Sequence, residues 1–134
     1  LSDGSEISLE QYRGRPVVIN FFASWCLPCK DEAPLLEQAW KEHRADGLVV
    51  LGIDAQDFRA DGRRFVERFG LTYPVVYDGE GSTLGRYGLT GFPETYFVGR
   101  DGKIVAEKVV GGIDVNDDSR ERFRQGLEKA LAEQ

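Results

Sequence analysis

The chain has 134 residues and a formal charge of −6, enough for one domain with a real hydrophobic core. The acidic balance argues against a nucleic-acid binder, which carries a basic face. No apolar run approaches the roughly 18–20 residues that span a bilayer, and Leu1-Ser2-Asp3-Gly4 does not open as a signal peptide.

Leu1 to Leu9 alternates around Asp3-Gly4, which predicts a short hairpin. Ser8-Leu9-Glu10-Gln11 has capping-box spacing and predicts one helical turn ending at Gly14. Pro16 to Phe22 is nearly all apolar, as a strand covered on both faces should be. A helix is expected from about Cys26 to Arg44, kinked where Pro34 removes a backbone donor and stopped by Gly47. Leu48 to Ile53 predicts a second buried strand and Asp54 to Asp61 a polar loop. A short helix follows with Phe65, Val66 and Phe69 inward and Gly70 as its stop.

Tyr73 to Tyr77 predicts another strand. Gly79-Glu80-Gly81-Ser82 should turn into a short helix around Thr83 to Tyr87. Thr95 to Val98 and Lys103 to Val110 predict two strands joined at Arg100-Asp101-Gly102, where Asp-Gly favours a tight turn. Gly111-Gly112 closes the sheet. The last helix should start near Asn116, with Asp117 and Asp118 suiting its dipole and Phe123, Leu127, Ala130 and Leu131 on one face. Strands alternating with helices, then a hairpin, predict an α/β single domain over residues 1–134 around a mixed sheet.

Both cysteines of the chain lie in Trp25-Cys26-Leu27-Pro28-Cys29-Lys30, at the corner between the first buried strand and the following helix. A cysteine at a helix N-terminus meets unpaired N–H groups and the positive end of the dipole, which stabilise a thiolate. Such placement lowers a thiol pKa from about 8.5 to roughly 3.5–7.5 and makes a nucleophile at neutral pH. The second cysteine, one turn on, can close a disulfide and release a bound substrate. Structural zinc needs four ligands, and the rest of the chain offers only His43. A structural disulfide over so short a loop restrains little of the unfolded chain. The pattern therefore points to a redox centre, with no thiols left for scaffolding.

The segment Val18-Ile19-Asn20-Phe21-Phe22-Ala23-Ser24-Trp25-Cys26-Leu27-Pro28-Cys29-Lys30 resembles the active-site strand and helix of thioredoxin-fold proteins. Asn20 stands where cytoplasmic thioredoxins carry a buried Asp, and Glu32 lies three residues after the second cysteine. Both details are similar to the extracytoplasmic thiol–disulfide oxidoreductases of the TlpA/ResA/CcmG (DsbE) group, many of which serve cytochrome c maturation. The resemblance implies a thioredoxin fold with a central mixed sheet flanked by helices, an N-terminal hairpin and a central strand-helix insertion. It implies an extracytoplasmic protein, anchored or secreted in a longer form, acting as a monomer. Its partners would be a protein or peptide disulfide substrate and a membrane thiol–disulfide electron donor. No metal and no cofactor are implied beyond the Cys26–Cys29 disulfide.

Gly91-Phe92-Pro93-Glu94-Thr95 is the second informative motif, a proline at the mouth of a strand. By the same resemblance Pro93 is a cis-proline packed on the dithiol, and the backbone of Phe92 pairs with an incoming peptide as an added strand. Glu32 shares a helical face with Cys29. A carboxylate there would take the proton that a buried resolving cysteine must lose. Glu94, beside Pro93, is expected to join Glu32 in an acid pair flanking the dithiol. Trp25, Leu27 and Pro28 complete the expected substrate surface, and Asn20 is expected as a hydrogen-bonded core amide. His43 is assigned no chemistry, and Arg59, Arg63, Arg64 and Arg68 form a solvated stripe. Asp114 to Asp118 starts like a calcium loop but has Ser119 and Gln125 where Gly and Glu are required.

The expected reaction is reduction of protein disulfides, with apocytochrome c as a family-implied substrate. The alternatives are a disulfide-forming oxidase of secreted proteins, which Leu27-Pro28 does not discriminate, and a non-catalytic peptide-binding module. A peroxidase is disfavoured because peroxidatic cysteines stand in a different motif without C-x-x-C.

Overall fold

A computed structural model describes residues 9–78 and 91–132. The expected N-terminal hairpin, the turn at Gly79 to Ser82 and the helix around Thr83 to Tyr87 lie outside the described residues. A 3-10 turn over Leu9–Tyr12 leads into β1 (Val17–Phe22), α1 (Leu27–His43) and β2 (Val49–Ala55). α2 (Arg59–Phe69), β3 (Val75–Asp78), β4 (Glu94–Val98), β5 (Val109–Val110) and α3 (Asp117–Ala132) follow. The sheet order is β3-β2-β1-β4-β5. β1, β2 and β3 run parallel, while β4 is antiparallel to β1 and β5 to β4.

β1 is central because five of its six residues are apolar and the sixth, Asn20, finds its hydrogen-bond partners inside the fold. All six of its residues are buried, and each of its larger apolar side chains contributes about 1.5–3 kcal/mol of burial free energy. On one face Val18 and Phe22 pack with Cys29, Ala33 and Leu36 of α1, Phe65 of α2 and Phe123 and Leu127 of α3. On the other, Val17, Ile19 and Phe21 pack with Val49, Leu51, Ile53, Tyr96 and Val98, and Tyr12 lies against them. The three described helices thus share one face of the sheet. α3 sits close to β4 because it presents Gly126 there. A Cβ on Gly126 would lie 2.4 Å from the Phe97 ring, inside van der Waals contact.

α1 begins where Cys26 takes an extended conformation and ends in a 3-10 turn at Arg44–Asp46 before Gly47. α2 stops at Gly70, whose left-handed φ of 61° lets its N–H cap the last carbonyls. Several expected boundaries change: α2 begins at Arg59, inside the loop expected to run to Asp61, and β3 starts at Val75 rather than Tyr73. β2 runs on through Asp54 and Ala55, because Asp54 is paired between Phe22 and Tyr77 and two ladders outweigh its polarity. The strand expected over Lys103 to Val110 shrinks to Val109–Val110 plus an isolated bridge from Ile104 to Val98. Lys103, Glu107 and the largely exposed Ile104 give that edge no continuous apolar face to bury. The turn itself forms, with the N–H of Gly102 donating to the carbonyl of Gly99.

Candidate functional site

The strand-to-helix corner carries Cys26 and Cys29 joined as a disulfide, their Cα atoms 5.3 Å apart. Cys26 is the N-cap of α1, and its Sγ accepts from the N–H of Cys29 at 3.3 Å. A sulfur in that position faces the unpaired donors of the first helical turn, where negative charge is favoured. Both cysteines are nearly closed off, at 4% and 1% exposure. Their surroundings are not: Trp25 is 59% and Leu27 70% exposed, and Pro28 is exposed as well.

Glu32 is fully buried on the same helix. Its Oε1 accepts from Asn20 Nδ2 at 2.6 Å and its Oε2 from the N–H of Ile113 at 3.0 Å. The second proton of the Asn20 amide goes to Thr95 Oγ1 at 3.1 Å, which fixes the amide so that nitrogen faces the acid. Burial raises the Glu32 pKa from 4.5 to about 7; the bonds from Asn20 and Ile113 oppose the rise and the charge of Asp114 adds to it. A carboxyl so poised exchanges a proton near neutral pH, and its helical spacing from Cys29 is one turn.

The second wall comes from β4 and the loop after β5. The Phe92–Pro93 peptide is cis, and the Phe92 ring meets Trp25 edge-on at a centroid distance of 5.6 Å. The carbonyl of the buried Pro93 accepts the N–H of Gly111 at 2.8 Å. A Cβ on Gly112 would stand 3.6 Å from Pro28, so the same loop touches the residue between the cysteines before Ile113 bonds Glu32. Trp25, Cys26, Pro28, Cys29, Glu32, Phe92 and Pro93 therefore belong to one locality.

Glu94 does not join Glu32. Register pairs Asn20 with Thr95 on the helix-covered face, which puts Phe21 and Glu94 on the opposite one. There Glu94 is fully buried, 2.7 Å from Lys108 Nζ, and accepts from Tyr96 OH at 3.3 Å. The expected acid pair is replaced by an Asn20–Glu32–Thr95 network, and Glu94 is the buried half of a separate ion pair with the partly exposed Lys108. Sequence reasoning missed Thr95 and the backbone of Ile113. Alternation along β4 offered a signal for Thr95, had the register been known; nothing local marked Ile113. It also missed Asp57, which accepts from both the N–H and the hydroxyl of Ser24 at 2.8 Å. Among the described residues no cluster of His, Cys, Asp and Glu could hold a metal ion.

The sequence matches the AhpC/TSA family over residues 1–107. The thiol-disulfide oxidoreductase ResA of Geobacillus thermodenitrificans is 31% identical over 121 residues, covering 90% of this chain and 68% of that protein. Among solved structures, a thioredoxin-family thiol:disulfide interchange protein of Chlorobium tepidum is 26% identical with a TM-score of 0.79, over 97% of this chain and 89% of that one. DsbF of Mycobacterium tuberculosis, solved in mixed oxidised and reduced forms, is 27% identical with a TM-score of 0.78, over 93% and 90%. The chain spans 62–68% of the length of the first ResA relatives it matches.

Proposed function

The chain belongs to the AhpC/TSA family and, within it, to the thioredoxin-like thiol–disulfide oxidoreductases of the TlpA/ResA/CcmG group; from that premise we propose that its Cys26–Cys29 dithiol reduces protein disulfides outside the cytoplasm. The Cys26 thiolate attacks one sulfur of a substrate disulfide, forming a mixed disulfide and releasing the other sulfur as thiolate. Cys29 then passes its proton to Glu32 and attacks Cys26 Sγ, releasing the second substrate thiolate. Two electrons have moved from the dithiol to the substrate, and the protein is left as the disulfide. A membrane thiol donor returns two electrons and the cycle repeats.

The observation that carries this reading is the burial and acidity of Glu32 on the Cys29 face of α1. A resolving thiol shut off from solvent needs a proton acceptor within the fold, and a carboxylate with a pKa near 7 supplies one. Trp25, Leu27, Pro28 and Phe92 form the apolar rim on which an extended substrate would lie, with Pro93 beside the dithiol and the Phe92 backbone as its pairing strand. Apocytochrome c is the substrate that the family relation suggests, its C-x-x-C-H requiring reduction before haem attachment. The family relation supports action at the cell-envelope face, in an anchored or secreted form; among the described residues no helix is long and apolar enough to cross a membrane.

An oxidase would use the same residues in reverse, with Glu32 returning a proton to Cys29. Equilibration against glutathione separates the two. A potential near or below about −250 mV supports the reductase, and one near about −120 mV, as in strong oxidants, overturns it in favour of disulfide formation.

A further inference from the structure

A carboxyl pair lies at the end of β2, outside the Glu32 network. Asp54 is fully buried, and neither of its side-chain oxygens meets a hydrogen-bond donor. It sits between Phe22 of β1 and Tyr77 of β3, at the strand end nearest the turn that precedes Cys26. Asp57 faces it within hydrogen-bonding reach and also accepts from three other donors. Oδ2 takes the N–H of Ser24 at 2.8 Å, and Oδ1 takes the Ser24 hydroxyl at 2.8 Å and the N–H of Phe58 at 2.9 Å. One residue back, Gln56 holds a left-handed φ of 52°, and its carbonyl accepts Trp25 Nε1 at 2.9 Å. Three bonds thus tie Gln56 and Asp57 to Ser24 and Trp25, the residues that lead into Cys26.

Two ionised carboxylates cannot sit together here. Each is an acceptor only, Asp54 is sealed from solvent, and the like charges repel. A single proton removes all three difficulties. We propose that Asp54 holds a proton and donates it in a hydrogen bond to Asp57, and that this one-proton pair is the positioning element of the Ser24–Cys26 turn, keeping Asp57 charged and aimed at Ser24.

The acidities agree with that division. Burial, followed by the bond to Asp57 and its charge, pushes the Asp54 pKa up to about 9. Asp57 is held below the ordinary carboxylate value: its partial burial works against ionisation, but the bonds from Asp54, Ser24 and Phe58 outweigh it. Other groups near the pair among the described residues include Asp61 of α2, whose charge adds to the rise on Asp54, and Tyr77 of β3, whose hydroxyl donates to the Asp57 carbonyl and whose ring lies 4.6 Å from the Arg59 guanidinium. Arg64 is paired with Asp61, and no described ion pair reaches Asp54 or Asp57. The proposal rests on Cys26 being the attacking thiol; the existence of the pair does not.

The test uses the oxidised, nitrogen-15-labelled protein, in which neither cysteine titrates. The backbone amide of Ser24 should shift with a midpoint well above pH 7, as Asp54 loses its proton and Asp57 its donor. Asp54→Asn should abolish that titration. In reduction of the Cys26–Cys29 disulfide by dithiothreitol, Asp54→Leu should lose about tenfold or more in rate. Asp54→Asn, which restores a donor, should recover most of the loss. Equal behaviour of the two variants, or a Ser24 titration that persists in Asp54→Asn, overturns the proposal. Should Asp54→Leu fail to fold, the wild-type amide decides alone, since the lack of a midpoint above pH 7 also overturns it. A protein that shows the amide titration but turns over no protein disulfide would fail the redox reading and leave the pair intact.

Discussion

Replacing Glu32 with glutamine tests the energetic status of the buried acid directly. Its pKa rises from 4.5 to about 7 on folding, chiefly through burial, a difference worth about 3 kcal/mol at 1.36 kcal/mol per pH unit. The folded chain holds the proton more tightly than the unfolded one. The group's stabilising contribution is therefore complete below about pH 4.5, declines as pH rises, and is gone above about pH 7. The substituted amide keeps the shape of the protonated acid and cannot ionise. It must, however, present its nitrogen to either Asn20 or the N–H of Ile113, at a pH-independent cost of about 1–3 kcal/mol. Urea unfolding of both oxidised proteins between pH 4 and 8.5 isolates the effect, since other titrations cancel in the difference. Wild type minus Glu32→Gln should fall by about 3 kcal/mol across that window, most of it between pH 4.5 and 7. A difference constant to within about 0.5 kcal/mol would refute the claim that burial penalises this carboxylate.

The same substitution should slow release of the mixed disulfide by about 10²-fold or more in stopped-flow, with wild type rising in rate up to about pH 7 and then levelling. Cys29→Ser should accumulate a substrate adduct on Cys26, visible by mass under non-reducing conditions, while Cys26→Ser forms none. Asn20→Asp would set a carboxylate in place of the donor to Glu32, so carbon-13 NMR should show the Glu32 pKa moving further above 7. Gly126→Ala should cost about 1–2 kcal/mol in urea unfolding: overpacking against Phe97 costs about 1–3 kcal/mol and better helix propensity returns up to about 1.

Much of the fold was legible because its signals are local. The wholly apolar flanks of Val17–Phe22, the C-x-x-C with Pro28 at a helix start and the glycine stop after Phe69 each announce themselves within a few residues. Glu94 shows where that legibility ends. Glu94 and Thr95 are adjacent in β4, and register alone decides which one faces α1; a shift of one residue exchanges them. Asp54 read as loop because polarity argues for solvent, whereas pairing on both sides holds it in the strand. The long edge strand failed in the opposite sense, since β-branched residues at Ile104, Val105 and Val109 suggest a continuity that a single neighbour does not impose. The bond from Ile113 to Glu32 spans 81 residues and the one from Ser24 to Asp57 spans 33. No window along the chain contains either.

The two cysteines are neighbours in any conformation of the chain, folded or not. Their proton acceptor is not. Glu32 reaches a pKa near 7 only once it is buried, and the groups that enclose it include Asn20 from β1 and Ile113 from beyond β5, so nearly the whole domain must be in place first. A newly made or partly unfolded copy would carry an ordinary dithiol beside an ordinary glutamate, without the helix N-terminus that favours the Cys26 thiolate. Completion of folding thus acts as a licence for turnover.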